Sequence, residues 1–167
     1  AIRDWIEGPQ IVGEFGAQDA AYIHQAVKTL NLDAVQVGFF YDVAQLENLR
    51  GLTVIREIVI DPNENIDLAA TLAALSDSVE YFLLEFNKNN INWNDIKNNK
   101  NYFNVNILKS LCKKYPVLLS INIKPDEANE LLETLDPEGL NVFGGDEEKV
   151  GFKSYDEMDE LFEAIEL

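Results

Sequence analysis

The stretch QIVGEFGAQDAAYIHQAVKTLNLDAVQVG, Gln10–Gly38, reads as strand, helix, strand. Gln10–Phe15 is a short apolar run bounded by glycines. Asp19–Leu30 sets Ala20, Ile23, Val27 and Leu30 at the spacing of one buried helix face. Ala34–Val37 is apolar again. Two short strands joined by a crossover of helix length make a βαβ unit, which is how parallel strands are connected.

Working outward, the alternation continues. Val43–Leu49 is a short helix stopped near Gly51, and Thr53–Ile60 is the longest strand. Asp61–Pro62–Asn63 is a turn before a helix over Ile66–Leu75 and a strand over Val79–Glu85. After an Asn-rich segment come a helix over Asn104–Lys114, a strand over Val117–Ile121 and a helix over Pro125–Leu135, with Pro125 in its first turn. Leu140–Phe143 is the last strand and Tyr155–Ile165 the closing helix. Upstream, Ala1–Ile6 reads as the end of an amphipathic helix, stopped by Gly8–Pro9.

Six short Val/Ile/Leu-rich strands, each followed by a helix, suit a parallel sheet covered on both faces. An open doubly wound sheet and an arc of a (β/α)8 barrel both fit. Gly13–Glu14–Phe15–Gly16 is not a dinucleotide-binding turn, and no P-loop occurs. Six units fall short of eight. Two further units before Ala1 would complete a barrel, so the expectation is a single barrel domain over 1–167, incomplete at its N-terminus.

Composition narrows the function. The chain has 167 residues, is 47% hydrophobic, and carries a formal charge of −17 from 30 acidic and 13 basic residues. That charge repels phosphate backbones and anionic membranes, so nucleic acid and membrane are not expected partners. The acidic run Asp156–Glu160 reads as a solvated helix face. Cys112, the single cysteine, sits in a helical pattern with Ile107, Leu108 and Leu111 and reads as a packing residue. No apolar stretch approaches the roughly 18 residues of a membrane helix and no signal peptide is visible, so a reducing cytoplasmic setting is expected. His24, the single histidine, flanks a core stripe on the outside. No metal-ligand spacing and no nucleophile triad occurs, so neither metal nor cofactor is expected.

Several stretches, taken in order, resemble phosphoribosylanthranilate isomerase. Ile11–Phe15 followed by a helix and Leu32–Gly38 is similar to the family's V-G-V-F strand, helix and A-V-Q-L-H-G strand. Thr53–Ile58 is similar to its fifth strand. Phe82–Leu83–Leu84–Glu85 stands where its sixth strand ends L-L-D, and Trp93 falls where a tryptophan often follows. Asn141–Glu147 resembles D-V-S-S-G-V-E, and Gly151, Lys153 and Asp156 match a G-x-K-x-x-D pattern before the last helix. The resemblance spans about Pro9 to Leu167 and maps the six strands onto barrel strands three to eight.

It implies an Amadori rearrangement in tryptophan biosynthesis, with an acid and a base on opposite sides of an aminoribose and a phosphate site after strands seven and eight. The positions of the family's base, a cysteine on strand one, and of its arginine after strand two fall upstream of Ala1, and Cys112, on a helix, cannot substitute for the base. Glu85 takes the place of the acid, an aspartate, with one methylene more. Placement to about an ångström matters for such a group, so Glu85 is either the general acid or a solvated strand end.

For the phosphate, Ser120, Gly144 and Gly145 match, but Ile121 and Asn122 replace two glycines and Asp146 adds an acid. The bland reading of Gly144–Gly145 is a turn between strand and helix. Between Asn87 and Asn106 ten of twenty residues are Asn, where the family has a Gly-rich closing loop.

Three readings stay open at this point. They are a degenerate isomerase-like barrel that binds a ligand, a phosphorylated small molecule for instance, or a partner; a working isomerase; and an unrelated barrel enzyme acting on a phosphorylated sugar. An arc also leaves two sheet edges, at Gln10–Phe15 and Leu140–Phe143, for a further segment or a second copy to cover.

Overall fold

The structure, a computed structural model, describes residues 8–145 and 147–165. The helix end expected at Ala1–Ile6 and the acid at Asp146 lie outside the described residues. One parallel sheet holds β1 (Val12–Phe15), β2 (Ala34–Val37), β3 (Val54–Val59), β4 (Tyr81–Glu85), β5 (Val117–Ser120) and β6 (Gly139–Leu140), each hydrogen-bonded to the next in chain order. A doubly wound sheet reverses its strand order at a switch point. This sheet does not, so it is six βα units of a TIM-type barrel.

The helices are α1 (Ala20–Leu30), α2 (Val43–Glu47), α3 (Leu68–Leu75), α4 (Trp93–Asn98), α5 (Val105–Lys114), α6 (Pro125–Leu135) and α7 (Asp156–Ala164). Strand alternation sorts the side chains into two sets. Phe15, Val35, Val37, Val54, Ile58, Phe82, Leu84, Val117 and Leu119 face the helices and form one core with Ile23, Leu72, Leu108 and Leu131. Each such aliphatic or aromatic side chain contributes about 1.5–3 kcal/mol on full burial. The opposite, inner set includes Glu14, Gln36, Ile55, Glu57, Leu83, Glu85, Leu118 and Ser120, aligned by the register Gln36↔Ile55, Glu57↔Leu83, Leu83↔Leu118 and Glu85↔Ser120.

The Asn-rich segment is folded, and its asparagines make the turns. Asn90 takes the left-handed conformation at φ 54° and closes a 3-10 turn over Asn87–Asn89. Asn92 caps α4 in a reciprocal box with Asp95, and Asn104 caps α5 through the Ile107 N–H. Trp93, Ile96, Tyr102 and Phe103 are buried and fasten the segment to the core.

The C-terminal third differs from the expectation. β6 covers Gly139–Leu140 rather than Leu140–Phe143, because β5 ends at Ser120 and the Asn141 N–H makes the last bond, to Leu119 O at 2.8 Å. Beyond it, an antiparallel hairpin of β7 (Glu147–Lys149) and β8 (Phe152–Lys153) stands between Gly144–Gly145 and α7.

Candidate functional site at the barrel mouth

The C-terminal ends of β4, β5 and β6 bring Glu85, Ser120 and Asn141 side by side, at the end where barrel enzymes hold their sites. Glu85 is not a solvated strand end. It is 1% exposed, and its Oε1 accepts the backbone N–H of Lys88 at 3.1 Å. The 3-10 turn at Asn87–Asn89 folds Lys88 back over the strand end, which makes this bond possible.

Two rows of the inner face below the mouth carry acids that sequence reading passed over. Glu57 on β3 is buried, and its Oε1 is held by Lys88 Nζ in a short ion pair. Gly38 on the neighbouring strand end lies against it, and a Cβ there would be in ordinary contact, 3.5 Å from Glu57 Oε2. Burial alone would lower the Lys88 pKa. The hydrogen bond and charge of Glu57, with the charges of Glu85 and Glu14, outweigh it and hold the ammonium above the ordinary lysine value. Three glutamates from three strands thus act on one lysine. Arg56, on the helix-facing set, is buried too. Its Nη1 donates to Glu57 O at 2.8 Å while its Nε has no partner, and burial lowers its pKa against the opposing pull of Glu57.

Ser120 is fully buried and does not line the cleft. Its hydroxyl oxygen accepts from Asn87 Nδ2 at 3.1 Å and from Asn141 Nδ2 at 3.2 Å, so it would touch a ligand only through those carboxamides. Gly144 and Gly145 do line a cleft of about 390 Å³, between the ends of β4, β5 and β6 and the start of α7. Their lack of side chains has a packing reason of its own. A Cβ on Gly145 would sit 2.7 Å from Ser154 O, and one on Gly144 3.1 Å from the Tyr155 ring. Ile121 and Asn122, which replace the expected glycines, line the same cleft.

The remaining singled-out residues sit away from the mouth. His24 is exposed on α1, hydrogen-bonded to Asn48 O. Cys112 packs against the core, and burial with the Asp136 charge pushes its thiol up to about 12. Among the described residues no His/Cys/Asp/Glu group could hold a metal ion, and no helix is long and apolar enough to cross a membrane.

Comparison with known proteins places the geometry in a lineage. The phosphoribosyl anthranilate isomerase of Thermus thermophilus superposes with a TM-score of 0.67 at 20% identity, over 98% of this chain and 76% of that one. The Thermotoga maritima isomerase gives 0.70 at 15% identity, again over 98% and 76%. A third, phosphoribosyl anthranilate isomerase in complex with reduced 1-(o-carboxyphenylamino)-1-deoxyribulose 5-phosphate, gives 0.67 at 17%, over 97% and 75%. No curated protein sequence matches significantly. The family model for N-(5′-phosphoribosyl)anthranilate isomerase matches residues 2–164, nearly the whole chain. With six consecutive parallel βα units and Glu85 ending the fourth strand, the chain belongs to the N-(5′-phosphoribosyl)anthranilate isomerase family.

Proposed function

We propose that this chain is an isomerase-like barrel whose mouth binds a small molecule and does not carry out the Amadori rearrangement. One observation carries the reading: the Lys88–Glu57 ion pair on the inner face beside the buried Glu85. The resemblance makes Glu85 the general acid, which must hold a proton and hand it to a group above the strand end. Glu85 is instead buried, its Oε1 is engaged by the Lys88 N–H, and it is not among the residues that line the cleft. The family's substrate carries a phosphate and an anthranilate carboxylate. Glu14, Glu57 and Glu85 facing one lysine leave a net negative inner face, which opposes such an anion.

The second reading, a working isomerase with Glu85 as acid, is favoured by the position of Glu85 at the mouth next to Ser120. Turnover of phosphoribosylanthranilate, followed as loss of its fluorescence, separates the two. No rate above the uncatalysed one is expected. A rate that Glu85→Gln abolishes would establish the second reading. β1 and β6 are the outer strands of the described sheet, and a relative from Thermotoga maritima is described as dimeric. A second copy or a further segment at these edges is part of the proposal. Mass by light scattering tests the first alternative.

A further inference from the structure

The cleft after β4, β5 and β6 has a lining rich in carboxamides. Asn87, Asn90, Asn92, Asn122 and Asn141 all line it. Each carboxamide offers two donors and one acceptor oxygen in a plane. Phe143, 64% exposed, adds an aromatic surface to the same cleft. We infer that this cleft takes a neutral polyhydroxylated molecule, of the size and chemistry of a monosaccharide, recognised through its hydroxyls and not through a phosphate.

Three features of the cleft support this. First, the volume of about 390 Å³ lies within the roughly 300–1,000 Å³ of small-molecule sites. Second, Asn87 and Asn141 both donate through Nδ2 to the Ser120 hydroxyl oxygen, which holds two of the five carboxamides in place at the cleft wall. A sugar hydroxyl both donates and accepts, so it matches a carboxamide in either orientation, whereas a fully ionised phosphate only accepts. Third, the electrostatics disfavour an anion. A helix N-terminus ordinarily attracts phosphate, but the first turn of α7 carries Asp156, Glu157 and Asp159, and Glu157 itself lines the cleft. Lys153 stands against Gly144, its Nζ 3.5 Å from where a Cβ would be, but is not part of the lining.

This inference rests on the reading that the mouth binds without converting, and its test is separate from the turnover assay. D-ribose, D-glucose, ribose 5-phosphate and inorganic phosphate are each titrated into the whole chain, by saturation-transfer NMR and calorimetry. At least one of the two free sugars is expected to bind, with an affinity that changes less than about twofold between low and high salt. Ribose 5-phosphate should bind no tighter than ribose. Asn122→Ala and Phe143→Ala, both at exposed positions, should each weaken sugar binding about fivefold or more while leaving the melting temperature unchanged. Three results overturn the inference: ribose 5-phosphate or phosphate binding about tenfold tighter than ribose, neither free sugar binding, or both variants binding like the parent. Turnover of phosphoribosylanthranilate would overturn the proposed function alone, whatever the titrations give.

Discussion

Replacing Lys88 by Met keeps most of the aliphatic stem and removes the ammonium that faces Glu57, Glu85 and Glu14. The Glu57 side chain is 10% exposed and that of Lys88 49%, so the pair lies between two regimes. Breaking a fully buried pair costs about 3–5 kcal/mol, and an exposed pair contributes about 0.2–1 kcal/mol. Discounting for the half-exposed lysine, Lys88→Met should cost about 2 kcal/mol. For a chain of this length that lowers the melting temperature by about 4–8 °C. Glu57→Gln in the Lys88→Met background should recover about half, because the stranded carboxylate is gone, giving a coupling of at least about 1 kcal/mol in a double-mutant cycle, to which the cost of Glu57→Gln alone adds.

The pH dependence of that deficit has a definite sign. Lys88 has a folded pKa above its ordinary value, so its contribution is fully present below about pH 10 and is lost as pH rises through the folded value. The deficit should therefore be constant between about pH 6 and pH 9. Thermal or urea unfolding of the four proteins measures it. A coupling below about 0.3 kcal/mol would mean the inner-face charges do not interact.

Trp93 is 1% exposed and its Nε1 donates to Glu130 Oε2 at 3.1 Å, so Trp93→Ala should cost about 3–5 kcal/mol in urea unfolding. Gly145→Ala drives a methyl into Ser154 O and should cost about 1–3 kcal/mol, with protection from amide exchange lost first at the β7–β8 hairpin. Asp136 caps α6 in the left-handed region at φ 48°, so Asp136→Gly should stabilise by up to about 1 kcal/mol in the same assay. Cys112, with its thiol pushed up to about 12, should react with an aromatic disulfide at pH 8 far more slowly in the native chain than in urea.

The barrel was legible where strands are continuous apolar runs. Val54–Val59 and Tyr81–Glu85 lie within the expected Thr53–Ile60 and Val79–Glu85, because burial on both faces demands Val, Ile and Leu in sequence. Only register decides between an open sheet and a barrel arc, and register needs the pairing itself. The Asn-rich segment hid α4, since its start signal is one asparagine among many, the cap Asn92, and only Trp93 and Ile96 mark its buried side.

At the site, Glu85 could be found from its place at a strand end, but its burial could not, as it depends on the turn that brings Lys88 back. Glu57 did leave a trace, an acid at an alternating position of an apolar strand. Its partner is 31 residues away, beyond any local pattern. Ser120 and Gly145 matched the expected positions in sequence, while their neighbours Asn87, Asn141 and Ser154 assign them packing duties.

On the proposed reading the mouth of this barrel does not perform the family's reaction, and turnover of phosphoribosylanthranilate tests that most directly. Loss of substrate fluorescence should run at the uncatalysed rate with the chain and with Glu85→Gln alike. A rate about a hundredfold or more above background, removed by Glu85→Gln in a protein that stays folded, would contradict it.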